Sequence, residues 1–289
     1  MTSGRRFVRF AGPDGRPRLG RVEGSSILEL PGDDVVALLG NGVRPEPVGE
    51  VVALDAEALV LPEPWRLLLP LEPPEVWCAG VTYERSREAR MDESLARDVY
   101  GLVYDAERPE LFLKDAACRR TVGPGASIGV RSDASWSVPE PELGLVLGPG
   151  GRLLGATIGN DVSSRDIEGQ NPLYLPQAKV YAGACAIGPA VLVPDDWDEP
   201  FEIELRVLGK EGATLFTGST STARMRRSFA ELASFCVRDN PVPPGSVLLT
   251  GTGLVPPDEF TLEPGQTVEI RVPGIGMLAN PVVRAGELL

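Results

Sequence analysis

The 289-residue sequence contains no histidine. This absence excludes catalytic sites built on a serine–histidine or cysteine–histidine pair, and it excludes every metal site with a histidine ligand. Acid–base chemistry in this chain must therefore come from carboxylates, lysine, tyrosine, cysteine or bound water. A histidine-free protein can also be non-catalytic, so the absence narrows the mechanism without establishing one.

Positive charge is scarce as well, and so are the features of membrane and secreted proteins. The 28 Lys and Arg stand against 41 Asp and Glu, and the formal net charge of −13 disfavours nucleic acid as a partner. No run is long and apolar enough for a membrane span, and the first residues lack the apolar core of a signal peptide. The four cysteines form no CxxC pair. We expect reduced thiols in a cytoplasmic protein with neither a membrane nor a nucleic-acid partner.

Most of the segments with a recognisable secondary-structure pattern are short strand-like runs. The 33 glycines and 28 prolines favour turns over long helices. From Val76 onward the runs include "VWCAGV", "ELFLK", "ELGLVLG", "LLGATIG", "FEIELRVLG", "SVLLTGTG" and "TVEIRV". Two stretches, 86–104 and 222–239, have helical character, and in the second the apolar residues follow the spacing i, i+3, i+4, i+7. The pattern predicts a β-rich α+β fold with a mixed sheet, rather than a doubly wound one.

The composition also predicts two domains. The stretch "RFVRFAGPDGRPRLGRVEG" has the pattern of two strands joined by a Pro/Gly/Asp turn. We therefore expect residues 1–70 to form a small N-terminal β-rich domain. The proline-rich stretch 61–76 would connect it to a larger domain over residues 75–289.

The stretch "WSVPEPELGLVLG" places Glu140 and Glu142 at the start of an apolar strand. Side chains alternate along a strand, so both carboxylates share one face. The glycine turn "GPGG" and a second strand, "RLLGATIGND", follow. A two-residue turn at Gly150-Gly151 would pair the strands so that Asp161 lies directly opposite Glu140.

Three converging carboxylates need protons or a cation to relieve their repulsion. Two like charges about 4 Å apart repel by about 4 kcal/mol at an effective dielectric near 20. An all-oxygen site with open water positions suits Mg²⁺ or Mn²⁺ best, and Ca²⁺ is possible. The alternative is that these acids lie on a solvated strand end and bind nothing.

The following stretch, "NDVSSRDIEGQNPLYLPQAKVYAGACAIGP", resembles the fumarylacetoacetate hydrolase superfamily. Its members carry Glu-x-Glu, then Asn-Asp-Val-Ser-x-Arg-Asp, then a lysine before Gly-Pro. The resemblance covers about residues 75–289 and implies that Glu140, Glu142 and Asp161 hold Mg²⁺ or Mn²⁺. It also implies a mixed β-roll, as in the family's C-terminal fold, in a chain that is a homodimer or a higher homo-oligomer.

The missing histidine disfavours one branch of that superfamily. Its hydrolases resemble one another in using a His-Glu pair to activate water, and this chain cannot form such a pair. The stretches "GVTYERSREARMDES", "RPELFLK" and "DIEGQNPLYLPQAKVY" instead resemble the dehydratase branch. That branch acts on 2-keto-3-deoxy sugar acids such as 2-keto-3-deoxy-pentonates in sugar-acid catabolism, with 2,5-dioxopentanoate as the expected product.

The resemblance suggests roles for further residues. Lys179 is the candidate base at carbon 3, and Glu110 is the candidate acid that assists departure of the carbon 4 hydroxyl. Arg85, Ser86 and Thr252 are candidates for binding the small 2-keto acid substrate. A hydrolase, decarboxylase or tautomerase of another 2-keto or β-diketo acid remains the alternative activity, and a non-enzymatic metal-binding protein is a third possibility.

Overall fold

A computed structural model describes residues 2–42, 45–49, 51–53, 55, 58–93 and 102–289. Within these residues the strands are β1 (Gly4–Ala11), β2 (Pro17–Glu23), β3 (Ser26–Leu30), β4 (Val51–Ala53), β5 (Arg66–Leu67), β6 (Glu75–Gly80), β7 (Glu110–Ala116), β8 (Thr121–Val122), β9 (Ile128–Val130), β10 (Ser137–Val138), β11 (Pro141–Leu147), β12 (Leu153–Asp161), β13 (Ser163–Ser164), β14 (Cys185–Pro194), β15 (Glu202–Leu208), β16 (Thr214–Ser221), β17 (Val247–Leu249), β18 (Thr267–Val272) and β19 (Gly276–Arg284). The α-helices are α1 (Val35–Gly40), α2 (Glu84–Glu93), α3 (Arg165–Gln170), α4 (Leu175–Lys179) and α5 (Phe229–Cys236).

The largest sheet runs in the order β4-β3-β2-β1-β14-β12-β11-β17-β6-β7, with β5 on β1 and β8 on β14. Most neighbours are antiparallel, but β17 pairs with β6, and β14 with β8, in parallel. The two strands expected near the N-terminus are β1 and β2, which pair with Phe7 opposite Arg21. Because β1 also pairs with β14, the N-terminal strands extend this sheet.

A second sheet, in the order β16-β15-β18-β19-β9, covers one face of the first. Its inward residues, such as Leu205 and Ile270, share a hydrophobic cluster with Leu143 and Leu145 of β11. On the other face of β11, Val146 belongs to a separate cluster with Phe7 and residues of β6 and β17. The strand is thus buried on both faces, which explains its continuous apolar run. The predicted β-rich, mixed-sheet fold is confirmed.

The helices are short. The clearer predicted helix is α5, in which Leu232, Ala233 and Cys236 are buried as their spacing predicts. It begins later than the stretch 222–239 suggests, because the hydroxyl of Ser228 accepts the N–H of Glu231 and caps the helix there. The other predicted helix corresponds in its first part to α2, and residues 94–101 of it lie outside the described residues. No helix in the described part of the chain is long and apolar enough to cross a membrane.

Candidate metal centre and active site

The hairpin of β11 and β12 brings the three predicted carboxylates together. Pro141 pairs with Asn160 and Glu142 with Gly159, and the N–H of Asp161 donates to the carbonyl of Glu140 at 3.0 Å. Asp161 therefore lies opposite Glu140, and the predicted register is confirmed. One carboxylate oxygen from each of Glu140, Glu142 and Asp161 lies within 4.8 Å of the others.

The turn that produces this register differs from the predicted one. A two-residue turn would need the N–H of residue 149, which is a proline and has none. The hairpin closes instead one residue earlier, where the N–H of Gly148 donates to the carbonyl of Arg152 at 2.7 Å, around a 3₁₀ turn over Pro149–Gly151. A β-bulge between Val146 and Leu147 absorbs the extra residue and restores the pairing farther along the strands.

All three carboxylates are buried, with exposed fractions of 3% for Glu140 and 1% for both Glu142 and Asp161. The alternative of a solvated strand end is therefore wrong. Burial, and then the neighbouring charges of Asp161 and Glu140, raise the pKa of Glu142 well above its usual range. The backbone N–H of Gly251 opposes this shift by donating to Glu142 Oε2 at 2.6 Å. Such a group of carboxylates needs positive charge beside it.

Lys179 supplies part of that charge. It ends the short helix α4 and is buried. Its Nζ donates to Glu140 Oε2 at 2.7 Å, to Asp161 Oδ2 at 2.9 Å and to the hydroxyl of Ser163 at 2.6 Å. The ammonium group thus bridges two of the three carboxylates, and the predicted role of Lys179 as a base stays a prediction.

Lys114 was not predicted from the sequence. Its side chain is fully buried, and Nζ forms an ion pair with Asp161 and donates to the carbonyl of Val162 at 3.0 Å. Burial alone lowers the pKa of Lys114, but the attraction of the Asp161 carboxylate opposes it and the net shift is upward. The sequence did contain a signal for Lys114. It is one of three lysines in the chain, and it follows Glu110 by four residues, so both side chains lie on the same face of one strand.

Arg165 is a second buried cation that the prediction did not use. It starts α3, its side chain is 1% exposed, and Nη2 lies 3.0 Å from Glu140 Oε1. One helical turn later, Glu168 is also buried. Arg165 lies within the motif "NDVSSRD", but nothing in the sequence alone showed that its guanidinium turns toward the carboxylates.

A narrow cavity opens beside the carboxylates. Glu110, Ser86 and Thr252 line it together with Lys179 and Glu168. Four of the predicted catalytic and substrate-binding residues therefore meet at one place, namely Glu110, Ser86, Thr252 and Lys179. Arg85 does not line this cavity and is exposed to solvent, so its predicted role in substrate binding has no contact in the cavity to support it.

The residues present fit a divalent cation. Three carboxylate oxygens on a rigid hairpin form the hard, all-oxygen donor set that Mg²⁺ and related ions bind. The ammonium of Lys179 already lies between two of these carboxylates, which shows that the position attracts positive charge. A bound cation would favour the ionised form of Glu142, whose pKa is raised in its absence.

Comparison with known proteins identifies two family models that match parts of this chain. The model of the family "Fumarylacetoacetate (FAA) hydrolase C-terminal" matches residues 75–283, and that of "Rv2993c-like, N-terminal" matches residues 5–62.

Among curated proteins, the chain is 52% identical over 215 residues to a probable 2-keto-3-deoxyxylonate dehydratase of Haloferax volcanii, with 74% of each chain covered. It is 42% identical over 276 residues to a 2-dehydro-3-deoxy-D-arabinonate dehydratase of Saccharolobus solfataricus, with 92% of each covered. A solved structure of 2-keto-3-deoxy-D-arabinonate dehydratase complexed with magnesium and 2,5-dioxopentanoate superposes with a TM-score of 0.83 at 38% identity, covering 96% of this chain and 99% of that one.

Proposed function

We infer that this chain, which belongs to the fumarylacetoacetate hydrolase family, is a metal-dependent hydro-lyase. Its proposed reaction is the dehydration of a 2-keto-3-deoxy-pentonate to 2,5-dioxopentanoate in sugar-acid catabolism. The observation that supports it most is a buried group of three carboxylates beside Lys179 in a chain without histidine. The dehydratases of similar sequence and structure support the same substrate class.

Glu140, Glu142 and Asp161 are the proposed ligands of one Mg²⁺ ion, with Mn²⁺ or Ca²⁺ as possible substitutes. When bound, the ion would polarise the substrate's carboxylate and 2-keto group and stabilise the negative charge that develops during proton removal. Chelation should therefore abolish activity.

Lys179 is the proposed base that takes a proton from carbon 3. It must be neutral to do so, although its usual pKa is about 10.4. A divalent ion held by Glu140, Glu142 and Asp161 would weaken the attraction of these carboxylates for the ammonium group of Lys179, and so favour its neutral form.

Glu110 is the proposed acid that gives a proton to the departing hydroxyl of carbon 4, so that water leaves. The intermediate is an unsaturated 2-keto acid in which carbon 5 is still a hydroxymethyl group. A proton shift from carbon 5 to carbon 3 moves the double bond to carbons 4 and 5 and gives an enol, and transfer of the hydroxyl proton to carbon 4 converts this enol into the aldehyde of 2,5-dioxopentanoate. The net change is the loss of one water, with no oxidant and no second substrate.

Ser86 and Thr252 are the proposed substrate-binding residues within the cavity. Arg85, which is exposed and precedes Ser86 in the chain, stays a proposed substrate-binding residue.

Parallel kinetics on two substrates test the proposed function. With Mg²⁺ and a 2-keto-3-deoxy-pentonate, the enzyme should release water and keep all five carbons in one product. With an acylpyruvate, it should release little pyruvate, because the chain has no His-Glu pair to activate water. A higher kcat/KM for acylpyruvate cleavage would reverse the assignment in favour of a hydrolase.

The organisation of the whole protein is proposed as well. Residues 1–70 would form a small β-rich domain and residues 75–289 the metal-binding catalytic domain, in a cytoplasmic homodimer or higher homo-oligomer. The two separate family matches support the division into domains. The four cysteines, which are all free, support the proposed cytoplasmic location. Light scattering on the purified protein measures the oligomeric state, and limited proteolysis maps the boundary.

A further inference from the structure

We propose that Thr82 is a positioning residue of the metal site, whose hydroxyl group fixes the carboxylate of Glu142 through the backbone of Gly251. The inference rests on the proposed function in one respect, namely that Glu142 is a ligand of Mg²⁺. Thr82 supplies no oxygen to the proposed ligand set, so its effect on a bound ion is indirect.

A single peptide group connects Thr82 to Glu142. The hydroxyl of Thr82 donates to the carbonyl oxygen of Thr250 at 2.6 Å. The N–H of the same peptide group belongs to Gly251, and it donates to Glu142 Oε2 at 2.6 Å. Because a trans peptide group is planar and rigid, a bond that fixes the direction of its C=O also fixes the direction of its N–H. The hydroxyl of Thr82 therefore controls where the backbone presents its hydrogen to Glu142.

The peptide group is held closely in this orientation. Thr82 is 1% exposed and Thr250 is fully buried. Gly251 has a φ of +88°, in the left-handed region that favours glycine. A Cβ at this position would lie 2.1 Å from Thr82 Oγ1 and 2.8 Å from the carbonyl oxygen of Ala79. Glycine at position 251 thus allows both the turn of the chain and the close approach of Thr82.

The backbone before Thr82 is bent so that its hydroxyl reaches the peptide group. Strand β6 ends at Gly80, and Val81 has a φ of +49°, which is an outlier for a β-branched residue. Such a conformation persists only where the surrounding structure holds it. The N–H of Arg226 donates to the carbonyl of Thr82 at 3.0 Å, so Thr82 is held through its backbone as well as through its hydroxyl.

This link should increase the affinity of the site for a metal ion. Hydrogen bonds in series polarise one another, so loss of the bond from Thr82 weakens the bond from Gly251 to Glu142. A carboxylate that is oriented before the ion arrives loses less freedom when the ion binds. Partners that orient a metal ligand from outside the ligand set contribute about 10- to 100-fold in metal affinity. Because Thr82 acts through one further group, we expect an effect at the lower end of this range.

Calorimetric titration of the metal-free full chain with Mg²⁺ tests the inference. Thr82→Val removes the hydroxyl and keeps the shape, Thr82→Ala is a second variant without the hydroxyl, and Thr82→Ser keeps the hydroxyl. The matched control is Thr157→Val, at a fully buried threonine of β12 whose hydroxyl has no hydrogen-bond partner among the described residues. The Tm of each metal-free variant, measured in parallel, separates a loss of stability from a loss of affinity.

Thr82→Val and Thr82→Ala should each weaken Mg²⁺ binding by about 10-fold, while Thr82→Ser and Thr157→Val should stay within about threefold of the parent. If a folded variant without the Thr82 hydroxyl keeps the affinity of the parent, the inference is wrong. It is also wrong if Thr82→Ser or Thr157→Val loses as much affinity as Thr82→Val.

The same titration separates this inference from the proposed function. If the parent binds no Mg²⁺, the proposed metal site fails and the role of Thr82 fails with it. If the parent binds Mg²⁺ but the Thr82 hydroxyl has no effect, only the inference fails. If the affinity follows the hydroxyl but the parent does not dehydrate a 2-keto-3-deoxy-pentonate, the proposed reaction fails and the role of Thr82 stands.

Discussion

Gly80 lies directly opposite Glu110 in the pairing of β6 with β7. A Cβ atom at position 80 would lie 2.1 Å from Glu110 Oε2 and 2.6 Å from its Cδ. The missing side chain of Gly80 is therefore the space that the carboxyl group of Glu110 occupies. Since residues directly opposite on neighbouring strands share a face, this glycine controls where the proposed acid points.

Gly80→Ala should displace the carboxyl group of Glu110 and slow turnover. The obstructed atoms are at the end of a flexible side chain, so Glu110 can move aside and the free energy of unfolding should change little. A misplaced proton donor should cost about 10²-fold or more in kcat. Steady-state kinetics and a Mg²⁺ titration check this: kcat should fall while the metal affinity is kept. A kcat close to that of the parent would show that turnover does not depend on where Gly80 places the carboxyl group of Glu110.

Lys179→Met should keep the fold and the metal and lose turnover by about 10²- to 10⁴-fold, the range for a lost proton transfer. Metal affinity should not fall, because the ammonium group that bridges Glu140 and Asp161 is removed. Lys210→Met, at an exposed position, serves as the control. If the rate of Lys179→Met stays within a few-fold of the parent, another group is the base.

The raised pKa of Glu142 predicts how stability depends on pH. In the metal-free protein the folded state favours the neutral carboxyl group of Glu142. The contribution of this group to the free energy of unfolding is therefore fully present below the usual carboxyl pKa. It is lost as the pH rises from that value through the raised pKa of the folded state. The Tm of the metal-free parent should therefore fall more between about pH 5 and about pH 8 than that of Glu142→Gln.

Mg²⁺ should reverse this loss, because it binds the ionised carboxylate and stabilises the folded state by mass action. Thermal unfolding with and without Mg²⁺ should show a larger rise in Tm at the higher pH. An equal rise at both pH values, or an equal rise in the parent and in Glu142→Gln, would contradict the assignment of Glu142 as a ligand.

Lys114→Met should destabilise the metal-free protein by about 3–5 kcal/mol, because it breaks a fully buried ion pair with Asp161. Mg²⁺ should raise the Tm of this variant more than that of the parent, since the ion restores positive charge beside the carboxylates. Denaturant unfolding with and without Mg²⁺ measures both effects. If the variant unfolds at the same denaturant concentration as the parent, Lys114 is not needed to balance the site.

The sequence alone was sufficient to predict which acidic residues lie together, and the reason is physical. Alternation along β11 and β12 and the glycine turn between them are local features, so the pairing of Glu140 with Asp161 follows from neighbouring residues. The burial of these carboxylates did not follow from the sequence, because acids at the start of an apolar strand can equally lie at a solvated strand end.

The sources of positive charge were harder to predict. Lys114 is on β7 and Asp161 is on β12, which are four positions apart in the strand order, so their contact comes from tertiary structure and not from the pairing of neighbouring strands. Parallel pairing such as that of β6 with β17 joins segments far apart in sequence and has no local signal. The sequence also did not show that Arg85 is exposed, because a charged helix has the same composition whichever of its sides faces the cavity.

The bulge in β11–β12 has a further consequence for how this hairpin can change length. The three-residue turn alone would shift the pairing by one position and turn Asp161 to the opposite face of the sheet. The bulge between Val146 and Leu147 cancels that shift, so the two irregularities are matched. An insertion or deletion of a single residue in the turn that was passed on to the strand pairing would therefore separate Asp161 from the glutamates, even though every ligand is still present. The hairpin keeps its ligands together only if the loop absorbs the change or a second change at the bulge compensates for it.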